Sequence, residues 1–432
     1  MDQKLAIPNP RTRELIVRWP EETPLALLAS HGGGAFGRFS LAANPVDRTE
    51  FRGPDAFENL ARTLDTPLGG HPRLTGRGWV VVLGYELGRQ IEPSIQGHGN
   101  PAADRPWPEA TILRCEGAMV QDGNQDWALL GDHTTIPDLT DPRTLKATAG
   151  PIKPDMSRSE YEHIVEQVVE MIHAGDCFQA NLAQRFHCSF NGSVRALALA
   201  AFKAADPRYG ALVETAPGQA VVSMSPELFL EVRGNEHHRT IRTRPVKGTR
   251  PEWVPTDTLL NSDKDEAELA MIVDLMRNDL GRICTLGSIR VSEGRTIETH
   301  QTVHHGVAEV EGILDPNAGI GDILAATFPP GSITGAPKIR AMQIIESLEA
   351  SRRGPYCGAI GWLDDSGLLV MNVAIRTIAV HGTSLGGSES INGGLDYLAG
   401  CGIVADSEPT AEYEESLAKT EVFRRTLQAL SE

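Results

Sequence analysis

Two apolar runs, Tyr356 to Leu363 and Leu368 to Val380, are separated only by Asp364-Asp365-Ser366-Gly367. Four residues of turn chemistry between two runs of strand length form a hairpin, so the chain pairs antiparallel there. Leu25 to Ser30, Trp79 to Leu83, Ala220 to Met224 and Leu228 to Val232 also read as strands. Thr240 to Thr249 reads as a strand broken at Pro245, which has fixed φ and no N–H. His31 to Gly34 and Gly97 to Pro108 read as loops, and Asp132 to Pro154, with four prolines, as a connector.

Helices fall between these strands. Ser157-x-x-Glu160 is a capping box before Tyr161, Ile164, Val165, Val168, Met171 and Ile172 at helical spacing, with Gly175 as the stop. A second helix is predicted from about Asp263 to Arg282. A third follows Pro337, and a last one runs from Ser407-Glu408-Pro409 almost to the end. Hairpin-joined strands with clustered helices give an α+β fold with antiparallel sheets. At 432 residues the chain exceeds one compact core, so two domains or one large intertwined sandwich are expected.

Composition removes several functions. A formal charge of −17 without a basic block argues against nucleic acid, and any anionic substrate must meet a local cluster of cations. Six scattered cysteines without a C-x-x-C pair read as free thiols of a reducing compartment. With no signal-like apolar stretch in Met1 to Pro10 and no membrane-length run, the expectation is a cytoplasmic protein.

Certain residues carry chemistry. Glu412, Glu415 and Lys419 share a helix face, which in isolation is an ordinary solvated ion pair, and Asp265 and Glu268 share another. Two helices with paired carboxylates can hold a hard dication if they meet. The loop Gly331-Ser-Ile-Thr-Gly-Ala-Pro-Lys338 has the wrong spacing for a P-loop. As a helix-opening loop with Lys338 and Arg340 nearby, it reads as an anion site.

The runs Gly175 to Arg185, Ser225-Pro-Glu227, Lys264 to Glu268 leading to Asp274 to Asp279, Gly331 to Met342, and Gly402-Ile-Val-Ala-Asp-Ser407 closely resemble the chorismate-utilising enzymes. The resemblance covers residues 151–432 as a catalytic region. It extends more weakly into 1–150 through Leu27-Leu28, Gly37 to Ser40 and Gly84 to Arg89. Within the family, Pro245-Val246-Lys247-Gly248-Thr249 is similar to the aminodeoxychorismate synthase branch, where anthranilate synthases carry a small residue in place of Lys247. Water-using members place a lysine where Gln179 stands, so Gln179 argues against isochorismate and salicylate synthesis. The alternative within the family is anthranilate synthase component I. A chorismate-binding protein without catalysis is opposed by the intact set Glu227, Lys247, Glu268 and Glu415.

What the resemblance implies is specific. The fold would be two antiparallel sheets packed as a sandwich with helices outside. Mg²⁺ would be held by Glu268 and Glu415, with Glu412 and Asp265 in support. Arg376 and Tyr356 would hold the enolpyruvyl carboxylate, Lys419 would add positive charge, and backbone at Gly335 and Gly402 would contact substrate. Gln179, Thr249, His305 and Thr334 match further site positions. Glu227 would be the general acid and Lys247 the nucleophile, which needs its pKa lowered to act.

Ammonia would come from a separate glutamine amidotransferase subunit in a heterodimer, since no Gly-x-Cys-x-Gly elbow is present. Leu27-Leu28-Ala29-Ser30 lacks the Leu-Glu-Ser signature of tryptophan-inhibited relatives. Cys401 stands where glycine or alanine is usual, and Gly234 to His238 lengthens the hairpin between Glu227 and Lys247.

Overall fold

The computed structural model describes residues 12–30, 39–65, 74–99, 101–123, 126–235, 238–251, 253–299 and 303–430. The predicted loop His31–Gly34 and the pair Gly37-Arg38 lie outside these residues.

Alternating side chains build the core. In the strand Gly78–Leu83, Val80 and Val82 point one way and Val81 and Leu83 the other. Val80 and Val82 join Ala26, Leu41, Val213, Val221 and Trp362 in a layer supplied only by strands and their connections, between two sheets. Val81 and Leu83 pack outward on Ile272, Met276, Leu280 and Ile323 of helices. On the opposite outer face Leu27, Leu212 and Val222 meet Leu197, Ala201, Phe423 and Leu427 of other helices. The result is an α+β sandwich of antiparallel sheets with helices outside. Among the described residues one sheet has twelve strands and the other ten.

The hairpin forms as predicted. Leu363 faces Leu369 in register, Gly367 takes φ +81, and its N–H donates to the Asp364 carbonyl at 2.8 Å. Strands from the first 150 residues enter both sheets. Ala26–Ala29 pairs with Tyr209–Ala216, and Gly78–Leu83 pairs with Ala359–Asp364. The helices Arg158–His173 with its capping box, Asp263–Gly281 and Lys338–Leu348 also stand where predicted.

Two boundaries differ. The run Leu368 to Val380 is two strands, Leu369–Val373 and Thr377–Ser384, in different sheets. The predicted last helix is also two, Pro409–Lys419 and Glu421–Ala429. The first is closed off when the Tyr397 hydroxyl donates to the Lys419 carbonyl at 3.0 Å, capping a terminal acceptor.

Candidate active site

Glu227 and Arg376 lie where the chain passes between sheets. Pro226 and Glu227 link Gln219–Ser225 of the twelve-stranded sheet to Leu228–Asn235 of the other. Ala374, Ile375 and Arg376 make the reverse passage. The passages are laced together: Val373 N–H donates to the Glu227 carbonyl (3.1 Å), Ser225 Oγ to the Val373 carbonyl (2.6 Å), and Met224 N–H to the Arg376 carbonyl (2.9 Å). Arg376 has φ 50, a left-handed conformation uncommon outside glycine, and its guanidinium has no acidic partner among the described residues. Tyr356 sits on a turn pinned to the same passage by the Cys357 N–H, which donates to the Ala374 carbonyl at 3.0 Å.

Lys247 is on Val246–Pro251, an edge strand of the ten-stranded sheet, separated from His238–Arg244 by Pro245 as the sequence suggests. Gly248 takes φ +78, and a Cβ there would stand 2.6 Å from Leu259 Cδ1 and 3.0 Å from Asp265 Cγ. The glycine thus lets the helix Asp263–Gly281 close onto the lysine's strand. His305 is buried on the neighbouring strand, opposite Thr249 in register; the Thr249 side chain lies outside the described residues.

At one edge of the twelve-stranded sheet, Gln179 is fully buried with neither carboxamide atom hydrogen bonded. Gly335, at φ +144, pairs with Ala180, and Gly402 lies against the Gln179 amide. Thr334 is buried, and its hydroxyl donates back to the Gly331 carbonyl at 3.1 Å, bracing its own loop. Lys338 and Arg340 do not face a free anion site: Lys338 Nζ meets Asp279 at 2.5 Å and Arg340 meets Asp176 at 2.9 Å.

Burial pushes the Glu227 carboxyl up to about 7, against the opposing Ser332 hydrogen bond, the Lys247 charge and the Val246 amide. Burial likewise holds the Lys247 ammonium below the usual lysine range. Glu268 opposes that shift, Lys419 adds to it, and Glu227 and Glu415 oppose it. The structure therefore brings Lys247, Glu227, Glu268, Glu415 and Lys419 into one electrostatic neighbourhood. Lys419 keeps 44% of its side-chain surface open although burial bears on its charge. The carboxylates of Glu415, Glu412 and the Cys401 thiol raise its pKa against that burial.

Carboxylate oxygens are the donor type that a hard dication such as Mg²⁺ takes. Glu268 and Glu415 approach Lys247 from two helices. Donor atoms of Cys401, Glu412 and Glu415 lie within 4.8 Å of one another. Glu268 and Asp265 are outside that group, and Asp265 pairs with Arg250 at 2.8 Å. Sequence reasoning missed Ser332 as a partner of Glu227. It also missed the buried Arg353, which bonds Glu349 and the Asn181 carbonyl and stacks over Tyr85 at 4.5 Å, 5.9 Å from Tyr356. Their neighbours in the chain gave only a loop pattern. A separate cavity between the sheets, at Leu28, Tyr209, Glu231 and Asn372, shares no residue with this cluster.

The chain belongs to the chorismate binding enzyme family, whose pattern it matches over residues 25–425. It is similar to aminodeoxychorismate synthase component 1 of Escherichia coli, 36% identical over 91% of this chain and 87% of that one. It is also similar to anthranilate synthase component 1 of Synechocystis, 38% identical over 93% and 90%. The crystal structure of anthranilate synthase component I from Streptococcus pneumoniae superimposes with a TM-score of 0.76 at 28% identity, covering 90% of this chain and 92% of that one.

Proposed function

We propose that this chorismate-utilising enzyme is an aminodeoxychorismate synthase component I. In this reading it aminates chorismate at C4 to 4-amino-4-deoxychorismate, the step that leads to p-aminobenzoate and folate. The observation that carries the reading is Lys247, half-buried, with its charge disfavoured by burial, and sharing its surroundings with the buried acid Glu227. Relatives named for both aminations are similar to this chain, so the lysine is what favours one product over the other.

In this reading Glu227 gives its proton to the departing C4 hydroxyl. A carboxyl that holds its proton to about pH 7 is suited to that task. The neutral Lys247 amine adds at C2 as the C4–O bond breaks, and ammonia then adds at C4 as the C2–N bond breaks and returns the amine. Arg376, without an acidic partner, and Tyr356 on the adjoining turn hold the enolpyruvyl carboxylate; Gln179, Gly335 and Gly402 shape the opposite wall. Glu268 and Glu415, with Glu412 in support, would hold Mg²⁺, which would neutralise charge at the ring carboxylate; Asp265 is engaged by Arg250 instead. Among the described residues no helix is long and apolar enough to cross a membrane.

The nitrogen source in this reading is a separate glutamine amidotransferase subunit, because the sequence carries no amidase elbow. The test is product identity. The purified chain with chorismate, Mg²⁺ and ammonium should form 4-amino-4-deoxychorismate, and it should use glutamine only after a glutaminase is added. Anthranilate as the sole product would overturn the assignment in favour of the sister synthase.

A further inference from the structure

Arg353 takes no part in the proton transfer or the covalent steps just described, yet three parts of the site meet on its guanidinium. The side chain is only 1% exposed. Its Nη2 donates to the Asn181 carbonyl at 2.6 Å and its Nη1 to the Ile333 carbonyl at 3.4 Å. Asn181 is two residues along the strand from Gln179, and Ile333 follows Ser332, which hydrogen-bonds Glu227. The Asn181 N–H donates to the Thr334 carbonyl at 2.8 Å, so backbone and guanidinium draw the same loop onto the same strand. The Tyr356 ring lies 5.9 Å from the guanidinium, and the Tyr356 N–H donates to the Arg353 carbonyl at 3.3 Å.

Other groups hold the arginine itself. Glu349 accepts from Nε at 2.9 Å and from Nη2 at 2.7 Å, and its Oε1 also accepts from the Ala183 N–H at 2.9 Å. Glu86 accepts from the backbone N–H groups of Arg353 and Gly354 at 2.7 and 3.1 Å. The Tyr85 ring covers the guanidinium at 4.5 Å. A planar fork can span two carbonyls and a carboxylate at once, whereas a lysine ammonium is a point charge.

We propose that Arg353 is a positioning residue that fixes the Ser332 loop, the strand bearing Gln179 and the Tyr356 turn in one arrangement, and through Ser332 holds the acid Glu227 in place. This rests on the reading of Glu227 as proton donor to the leaving hydroxyl. The Ser332 hydrogen bond favours the charged carboxylate and opposes the burial that raises Glu227. Among the described residues, Lys247 and Cys357 are the titratable groups that bear on Glu227, and Arg353→Lys leaves both, and the positive charge, in the protein. Loosening the loop weakens the Ser332 bond, so Glu227 keeps its proton to higher pH.

Chorismate consumption with ammonium is followed against pH, beside thermal unfolding, in the parent, Arg353→Lys, Ser332→Ala and Glu227→Gln. Arg353→Lys keeps a cation beside Glu349 but loses the fork. It should unfold near the parent's temperature and lose about a hundredfold in kcat/KM. Its descending pH limb should move upward, in the same direction as that of Ser332→Ala. If Arg353→Lys does not fold, the double variant Glu349→Gln/Arg353→Met is read in its place with the same expectations. It removes the buried ion pair and keeps an acceptor for the Ala183 N–H. A folded variant with the parent's kcat/KM, or with its limb unmoved, overturns the proposal. Failure of both variants to fold does so too, since the pair would then serve stability. A limb that persists in Glu227→Gln overturns the acid reading and this proposal with it. A limb that Glu227→Gln removes but the arginine variants leave in place strikes the positioning role alone.

Discussion

Residue 402 has no room for a side chain because of Gln179: a Cβ there would fall 2.0 Å from Gln179 Nε2. In the proposed reading the glycine and the glutamine together form a wall of the substrate site, one by lacking atoms and the other by filling the space with a carboxamide that has no hydrogen-bond partner among the described residues.

Gly402→Ala should therefore injure function more than folding. The colliding atom is the end of a flexible side chain, which can rotate away, so the unfolding temperature should stay near that of the parent. The carboxamide would leave its place, and turnover of chorismate with ammonium should fall by about a hundredfold, as expected of a 1 Å misplacement at a reacting centre. Parallel thermal unfolding and steady-state rates check this; a large loss of stability at unchanged rate refutes it.

Lys247→Ala should abolish 4-amino-4-deoxychorismate formation and divert residual turnover to anthranilate. Intact-mass measurement of the parent, denatured after exposure to chorismate, should show a covalent adduct that the variant lacks. Full activity with the same product would exclude Lys247 as the nucleophile.

The pH profile follows from the two shifts. Glu227 must be protonated to donate, and its carboxyl sits at about 7, so its contribution is present below that pH and lost above it. Lys247 must be neutral, and burial lowers its pKa, so its contribution grows as pH rises. kcat/KM should be bell-shaped with a descending limb near 7. Glu227→Gln should lower the rate by roughly 10²–10⁴-fold and remove that limb. A descending limb that persists in the variant would assign it to another group.

Chelation should separate activity from stability. The sandwich core is assembled from apolar layers that the Glu268 and Glu415 carboxylates do not join, so excess EDTA should stop turnover and leave the unfolding temperature nearly unchanged. Readdition of Mg²⁺ should restore the rate. Undiminished turnover in EDTA would eliminate the metal role.

Much of the fold was legible because its signals are local. The Ser157–Glu160 capping box and the Asp364–Gly367 turn carry their own geometry in a few residues, and both stand as read. The passage of Leu368 to Val380 between sheets was not legible, since an apolar run looks the same whether its two halves pair with one sheet or with two. The break after Lys419 was hidden for a related reason: its cap comes from Tyr397, on a distant strand. In the site, Lys338 and Arg340 read as free cations because their partners Asp279 and Asp176 are remote in sequence. Lys247 gave the opposite lesson: its motif marks it in the sequence, but only the fold shows that burial lowers its pKa, with Lys419 adding to the shift and Glu268, Glu227 and Glu415 opposing it.

The passages bearing Glu227 and Arg376 each belong to both sheets, so the separation of the sheets acts as a calliper on the site. Ala374, in the passage that bears Arg376, joins the layer that Val213, Val221, Ile360 and Trp362 fill. Close-packed layers transmit volume changes as displacement. In the proposed reading, a core substitution far from any reacting atom, such as Trp362→Phe, should alter the fit of the substrate's carboxylate and its leaving hydroxyl together. In that reading the packing of the sandwich interior is itself a catalytic dimension.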